Sequence, residues 1–238
     1  MARYRRVVAA ASKSGKFVHL DNSYVDVCDL PYLPCNGSVV GTDCPYKKGL
    51  FASQRKCFRN ATQDLYRRSR FNFFVSPLHA TVINELVGLS SDRTRVLDPV
   101  LDAQPFLAAP DSIRDIPLLF VGPFNEAKGS IEIMKRWPQG EVRVVGPMTE
   151  DAAAYPGYAG VAPYSKIPSL LKSTATFVFR PRWPEPFGRV VSEAALSGCS
   201  LDANERVGAL SFRVDLSKPA FYKDSAAKFW LSVESLGV

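Results

Sequence analysis

The chain has 238 residues, is 46% hydrophobic and 22% charged, and carries a net charge of +7. At roughly 100–200 residues per domain this leaves room for one large domain or two small ones, and the composition excludes a disordered, collagenous or coiled-coil chain. No apolar run approaches the ~18 residues of a membrane span. The stretch 7–11, behind Arg3, Arg5 and Arg6, is too short for a signal-peptide core, so the chain reads as cytoplasmic.

In chain order, residues 3–16 read as one helix leading into a strand at 16–20. Residues 21–50, punctuated by Pro31, Pro34, Gly37, Gly41, Pro45 and Gly49, read as a long loop. A helix is predicted over 53–68, a strand over 71–75, a helix over 78–88 and a strand over 94–97. The Pro- and Asp-rich stretch 99–112 reads as a linker between a first domain, 1–98, and a second, 113–238, whose last helix has the option of packing back on the first. The second domain is regular. Apolar runs at 117–121, 141–145 and 176–179 end at turn residues and read as buried strands. Helices are predicted between and after them at 128–136, 167–173 and 189–197, with Pro168 near the start of one and Gly198 stopping another. Strands alternating with helices imply βαβ units and a parallel α/β sheet. Ligands of such sheets bind at the carboxyl ends of the strands, here the loops after Val121, Val145 and Phe179.

Those loops hold the chemistry. In FVFRPRWPEPFGRVVSEAALSGC, residues 177–199, Glu185 and Glu193 are separated by seven residues. Glu185 lies in the loop after a strand and Glu193 inside the following helix, with Pro186, Phe187 and Gly188 at the helix start. A helix N-terminus offers unpaired N–H groups and partial positive charge to an anion, and a carboxylate further in can accept hydrogen bonds from sugar hydroxyls. Backbone amides for phosphate beside carboxylates for hydroxyls suit a nucleotide sugar. The second motif, FVGPFNEAKG, places Gly122 and Pro123 in a turn after a strand and Lys128 at a helix start, where its ammonium can neutralise charge on a departing diphosphate.

On VGPFNEAKG, VVGP, IPSLLKSTATFVF and EPFGRVVSEAALSGC, taken in order, the segment from about residue 117 to 230 resembles the donor-binding domain of retaining GT-B glycosyltransferases, most like glycosyltransferase family 4. The resemblance implies two Rossmann-like domains with parallel sheets, the N-terminal one reduced. It implies a retaining glycosyl transfer from a nucleotide-sugar donor, with Glu185 on the donor sugar, Glu193 on the ribose, and Lys128 with the Phe187 and Gly188 amides on the diphosphate. The nucleotide sugar is then substrate, and no cofactor or metal is expected. Two departures stand out. The family carries an arginine after the first glycine, where this chain has Pro123, and Arg180 or Arg182 is the candidate replacement. In HLDNSYVDVCDLPYLPCNGSVV, similar to a family stretch with a sugar-contacting histidine, alignment on Cys28 puts that place at Asn22. His19 lies three residues too early, and Asp21 is read either as a substitute catalytic carboxylate or as a turn cap. His79, after the strand at 71–75, reads as a polar residue capping the next helix.

The charge is one-sided: residues 1–98 hold 15 Lys and Arg against 8 Asp and Glu, and the rest of the chain is balanced. Arg55, Lys56, Arg59, Arg67 and Arg68, interleaved with Phe58 and Tyr66, form a candidate acceptor or anion patch, or a solvated helix face. Acceptors compatible with it are a glycan, a lipid-linked sugar at a membrane surface, or nucleic acid such as a modified DNA base, which would have to leave the stack. A degenerate sugar-nucleotide-binding subunit and a homo-oligomer are also open. Cys28, Cys35, Cys44 and Cys57 have 6, 8 and 12 residues between them, without the close pair that a zinc site uses, and they read with Cys199 as free thiols.

Overall fold

The strands Ile116–Val121, Val142–Val145 and Thr174–Phe179 form where β-branched, aliphatic and aromatic residues predominate, and Gly122-Pro123 and Gly146-Pro147 stop the first two. A computed structural model describes residues 9, 10, 13, 17–25, 27, 65–107, 113–149 and 154–235. The chain divides into two compact units, Met1–Pro99 with Asp224–Val238, and Val100–Lys223.

In the first unit, strands β1 (His19–Asp21), β2 (Asn72–Phe74) and β3 (Thr94–Val96) pair in parallel in that order. Helix α1 (Pro77–Val87) connects β2 to β3. Ser76 caps it, its side chain accepting from the His79 N–H at 3.0 Å, and Pro77 occupies the first turn, where no amide hydrogen is needed. The cap is therefore Ser76 rather than His79, whose ring is buried instead. Val82, Ile83 and Val87 of α1 pack with Tyr66 and Phe74. Residues 65–68 are helical, the end of the helix expected over 53–68. The remainder of that helix, most of the helix expected over 3–16, most of the loop expected over 21–50, and Arg55, Lys56, Arg59 and the four early cysteines lie outside the described residues.

The second unit is a four-stranded parallel sheet of order β5-β4-β6-β7, formed by β4 (Ile116–Val121), β5 (Val142–Val145), β6 (Thr174–Phe179) and β7 (Ser200–Ala203). Three helices link them: α2 (Ser130–Arg136), α3 (Ile167–Lys172) and α4 (Arg189–Leu196). The boundaries follow the sequence reading within two residues. Proline is tolerated in central β4 because Ile116 donates toward β6 (to Ser173 O, 2.9 Å), so Pro117 faces β5. There the ladder begins only at Leu118. Leu119, Phe120, Val144, Phe177, Val178 and Val191 are wholly buried, each worth roughly 1.5–3 kcal/mol relative to exposure. Residues 100–107 of the expected linker belong to this unit, and Phe106 is part of its core.

After β7 the chain returns to the first unit. Helix α5 (Ser225–Ser235) docks there through Phe229 against Phe73 (ring centroids 5.3 Å apart), the Ser225 hydroxyl donating to Pro99 O (2.9 Å), and Lys228 paired with Asp98 (2.6 Å). Among the described residues no helix is long and apolar enough to cross a membrane.

Candidate functional site

The order β5-β4-β6-β7 means that the chain leaves β4 to one side and returns on the other. The crevice between the carboxyl ends of β4 and β6 is thus a topological switch point, the usual place for a ligand in an open α/β sheet. The two loops that flank it carry Gly122, Pro123 and Lys128 after β4, and Arg180, Glu185, Pro186, Phe187 and Gly188 after β6.

Lys128 is delivered by a single turn of 3-10 helix, Glu126–Lys128, capped by the Asn125 side chain, which accepts from the Lys128 N–H at 3.0 Å. Helix α2 starts only after it. Gly129 makes the next turn with φ 98, and a Cβ there would overlap the Arg180 carbonyl oxygen. The missing side chain lets the β4 loop close onto the end of β6. As a result the Lys128 ammonium donates to Glu185 Oε2, with both side chains largely buried (17% and 14% exposed). The Phe179 and Trp183 rings lie beneath the ammonium, 5.9 and 5.6 Å away.

Glu185 is pinned through its backbone. Its N–H donates to Arg206 O (2.7 Å), and its carbonyl accepts from Gly208 N–H (3.0 Å). The Phe187 carbonyl accepts from Ala209 N–H, and its ring meets Phe212 edge-on. Gly188, at φ 79, opens α4 with no side-chain cap, and an added Cβ would stand 3.0 Å from Val207 Cγ1. The Val191 amide turns back to the Gly188 carbonyl (2.9 Å), and the amides ahead of it, with no side-chain cap, are the donors an external acceptor would meet. Gly198 ends α4 at φ 75 as expected.

Glu193 sits one turn into α4 and is 2% exposed. Its Oε1 accepts from the Tyr164 hydroxyl (2.7 Å) and pairs with Arg189 Nε (3.1 Å). Burial pushes its carboxyl up, and Tyr164 and Arg189 pull it back. Tyr164 itself is pushed up to about 12, by burial first and by the carboxylate second. Sequence reasoning missed Tyr164 and Arg189. The i, i+4 spacing of Arg189 and Glu193 was the available signal.

The candidate replacements for the missing arginine are already engaged. Arg180 spans two carboxylates, Asp202 Oδ1 (Nε 2.8 Å, Nη2 2.6 Å) and Glu132 Oε1 (3.1 Å). It thereby ties β6 to β7 and α2, and its role here is structural bracing rather than an open cation. Arg182 pairs with Glu126. Pro123 is exposed, and Gly122 N–H donates to Val145 O at 3.0 Å.

In the first unit, Asp21 lies at the end of β1, 3% exposed. Its Oδ1 accepts from Ser23 N–H (3.1 Å) in a local turn, and its Oδ2 accepts from the Tyr66 hydroxyl and stands 3.6 Å from His79 Nε2. This is the turn-cap geometry, extended into a buried polar cluster. Burial pushes the His79 imidazole down to about 3, which the Ser23 backbone partly offsets. Of the anion patch, Arg67 and Arg68 are described and exposed. Arg67 donates to Val87 O (3.2 Å) at the end of α1, a helix-capping use. Cys199 is a free, buried thiol pushed up to about 11 by burial.

No protein-family model matches the chain, and no curated protein matches it. Solved structures do. HepE of Anabaena in complex with UDP-glucose superposes with a TM-score of 0.57 at 15% identity, covering 87% of this chain and 59% of that one. Sucrose-phosphate synthase of Thermosynechococcus elongatus gives 0.58 at 18% identity, covering 83% and 52%. WaaG, a glycosyltransferase involved in lipopolysaccharide biosynthesis, gives 0.52 at 13%, covering 88% and 68%. The chain thus spans between half and three fifths of the HepE and synthase structures. At these identities the likeness speaks for the fold, and the fold is that of the GT-B glycosyltransferases, α/β with parallel sheets in two units.

Proposed function

We propose that this chain is a glycosyltransferase of the retaining, family-4-like kind, using a nucleotide-sugar donor bound at the switch point of its second unit. The observation that carries the reading is the Lys128–Glu185 pair at the mouth of the uncapped α4 N-terminus. A cation, free amides and a carboxylate converge there from the two loops that flank the crevice. The UDP-glucose in the HepE structure supports the donor class.

In this reading the donor separates the pair. The Lys128 ammonium turns to the diphosphate, and the amides at Gly188 and Arg189 share its charge. The Glu185 carboxylate, released, accepts from hydroxyls of the sugar and holds it against the leaving group. Glu193 accepts from the ribose. The bond from the anomeric carbon to the diphosphate oxygen breaks, the acceptor hydroxyl forms the new bond on the same face, and its proton passes to the departing phosphate. The leaving-group charge is met by Lys128 and backbone N–H groups, so the proposal assigns no role to a metal. Asp21 enters as a cluster that shapes the end of β1. The acceptor is proposed to be large or anionic: a glycan, a lipid-linked sugar or nucleic acid.

The test is release of nucleoside diphosphate from a panel of nucleotide sugars by the purified chain. Glu185→Ala is expected to abolish release while nucleoside-diphosphate affinity stays within about threefold, less than one hydrogen bond to a charged group is worth. If the nucleotide no longer binds Glu185→Ala, the carboxylate has been given the wrong partner. If the wild-type chain binds nucleotide sugars and turns none over, it is a binding subunit.

A further inference from the structure

Glu193 is buried, yet both of its donors fall on one oxygen. Tyr164 Oη and Arg189 Nε meet at Oε1, and among the described residues no donor reaches Oε2. The two donors also brace each other. The Arg189 guanidinium stacks on the Tyr164 ring at 5.2 Å, and that ring meets the edge of core residue Phe106 at 6.3 Å. Tyr164 arrives from the β5–α3 connection, in a 3-10 turn that starts after Pro163. Arg189 is the first residue of α4, four before Glu193. A carboxylate on a helix rotates freely about its last bond, so the backbone alone does not set which oxygen faces outward. The Tyr164–Arg189 stack removes that freedom.

We infer that Tyr164 and Arg189 are positioning residues that hold Glu193 Oε1 and so present Oε2 to the vicinal hydroxyls of a nucleotide ribose, making this chain selective for ribonucleotide over deoxyribonucleotide donors. The inference rests on the donor-site reading above and adds the residues that set its sugar selectivity. A buried carboxylate left with fewer donors takes up a proton more readily, and a neutral carboxyl is a poorer acceptor. Losing either brace therefore weakens recognition of ribose hydroxyls and leaves the base and diphosphate contacts alone. Tyr164→Phe keeps the ring on Phe106 and removes only the hydroxyl. Arg189→Met keeps the stem of a side chain that is 61% exposed and removes the guanidinium.

The experiment is calorimetric titration of UDP, ADP and GDP into the full chain. The tightest of the three is then compared with its 2′,3′-dideoxy counterpart, in the wild type, Tyr164→Phe, Arg189→Met and Glu193→Gln. The wild type is expected to prefer the ribonucleotide by about tenfold or more, the worth of a hydrogen bond to a charged group. Both brace variants are expected to lose most of that preference, and in Tyr164→Phe the affinity for the dideoxy form is expected to stay unchanged. A merely structural role would lower both affinities together and leave their ratio, which overturns the inference. So does a ribonucleotide that binds Tyr164→Phe more tightly than wild type, since Tyr164 would then be blocking Glu193. If none of the three nucleotides binds at millimolar concentration, the donor-site reading falls and takes the inference with it. If the ribonucleotide binds with an unaltered preference in the variants, the inference falls alone.

Discussion

His79 is the residue whose environment departs furthest from what a sequence displays. Its ring is wholly buried against the edges of Tyr24 and Phe74 (centroids 5.0 and 5.3 Å away), with Nε2 3.6 Å from Asp21 Oδ2. Its basicity is lowered from 6.5 to about 3 in the fold. The unfolded chain takes up a proton near pH 6.5 and the folded one does not. Stability from this group is therefore full above pH 6.5 and is lost as pH falls from there toward 3. Between pH 6.5 and 5 the unfolding free energy is expected to drop at a slope approaching ~1.4 kcal/mol per pH unit. His79→Gln is expected to flatten that slope in urea titrations. An unchanged slope would place the proton uptake on another group. One histidine after a strand carries no periodic signal, which is why a capping role was the natural reading of the sequence. Arg180 was misleading for a similar reason. Its main partner, Asp202, is 22 residues away on a strand with no apolar run to announce it. Glu185, Lys128 and Glu193 were legible because they stand at set distances from glycines that end strands or open helices.

At the scale of elements, the second unit was readable because its punctuation is local. Gly122-Pro123 and Gly146-Pro147 close strands, and Gly198 closes α4. Strand β7 was not readable, because Ser200-Leu201-Asp202-Ala203 earns its place by pairing with β6 at an exposed edge rather than by its own pattern. The β4 loop depends on Gly129 twice over, for its positive φ and for its approach to the Arg180 carbonyl. Gly129→Ala is expected to destabilise the chain by more than about 2 kcal/mol. It should also lower nucleotide affinity, because Lys128 moves with the loop. Chemical denaturation and titration on the same sample check both. An alanine variant of unchanged stability would mean that the loop has another way to close.

For the whole molecule, the charge decides which acceptor classes to test first. Residues 1–98 carry the entire positive excess, and of their described arginines Arg67, Arg68, Arg70 and Arg95 are exposed and Arg93 is half-buried. Such a field binds polyanions by releasing their counterions. Double-stranded DNA is expected to bind at 50 mM salt, with an affinity that falls steeply by 200 mM. Anionic vesicles are the parallel probe for a lipid-linked acceptor. No retardation of DNA at the lower salt would remove nucleic acid from the acceptor classes.

The return of α5 to the first unit has a consequence in time. The second unit is one uninterrupted stretch, Val100–Lys223, whereas the first needs Phe229, Ser225 and Lys228 to cover Phe73, Pro99 and Asp98. As the chain leaves the ribosome, the first unit emerges earlier but is finished later. The second unit can close while the first still waits for α5, so under the proposed reading nucleotide present during synthesis would find a folded site before α5 has docked.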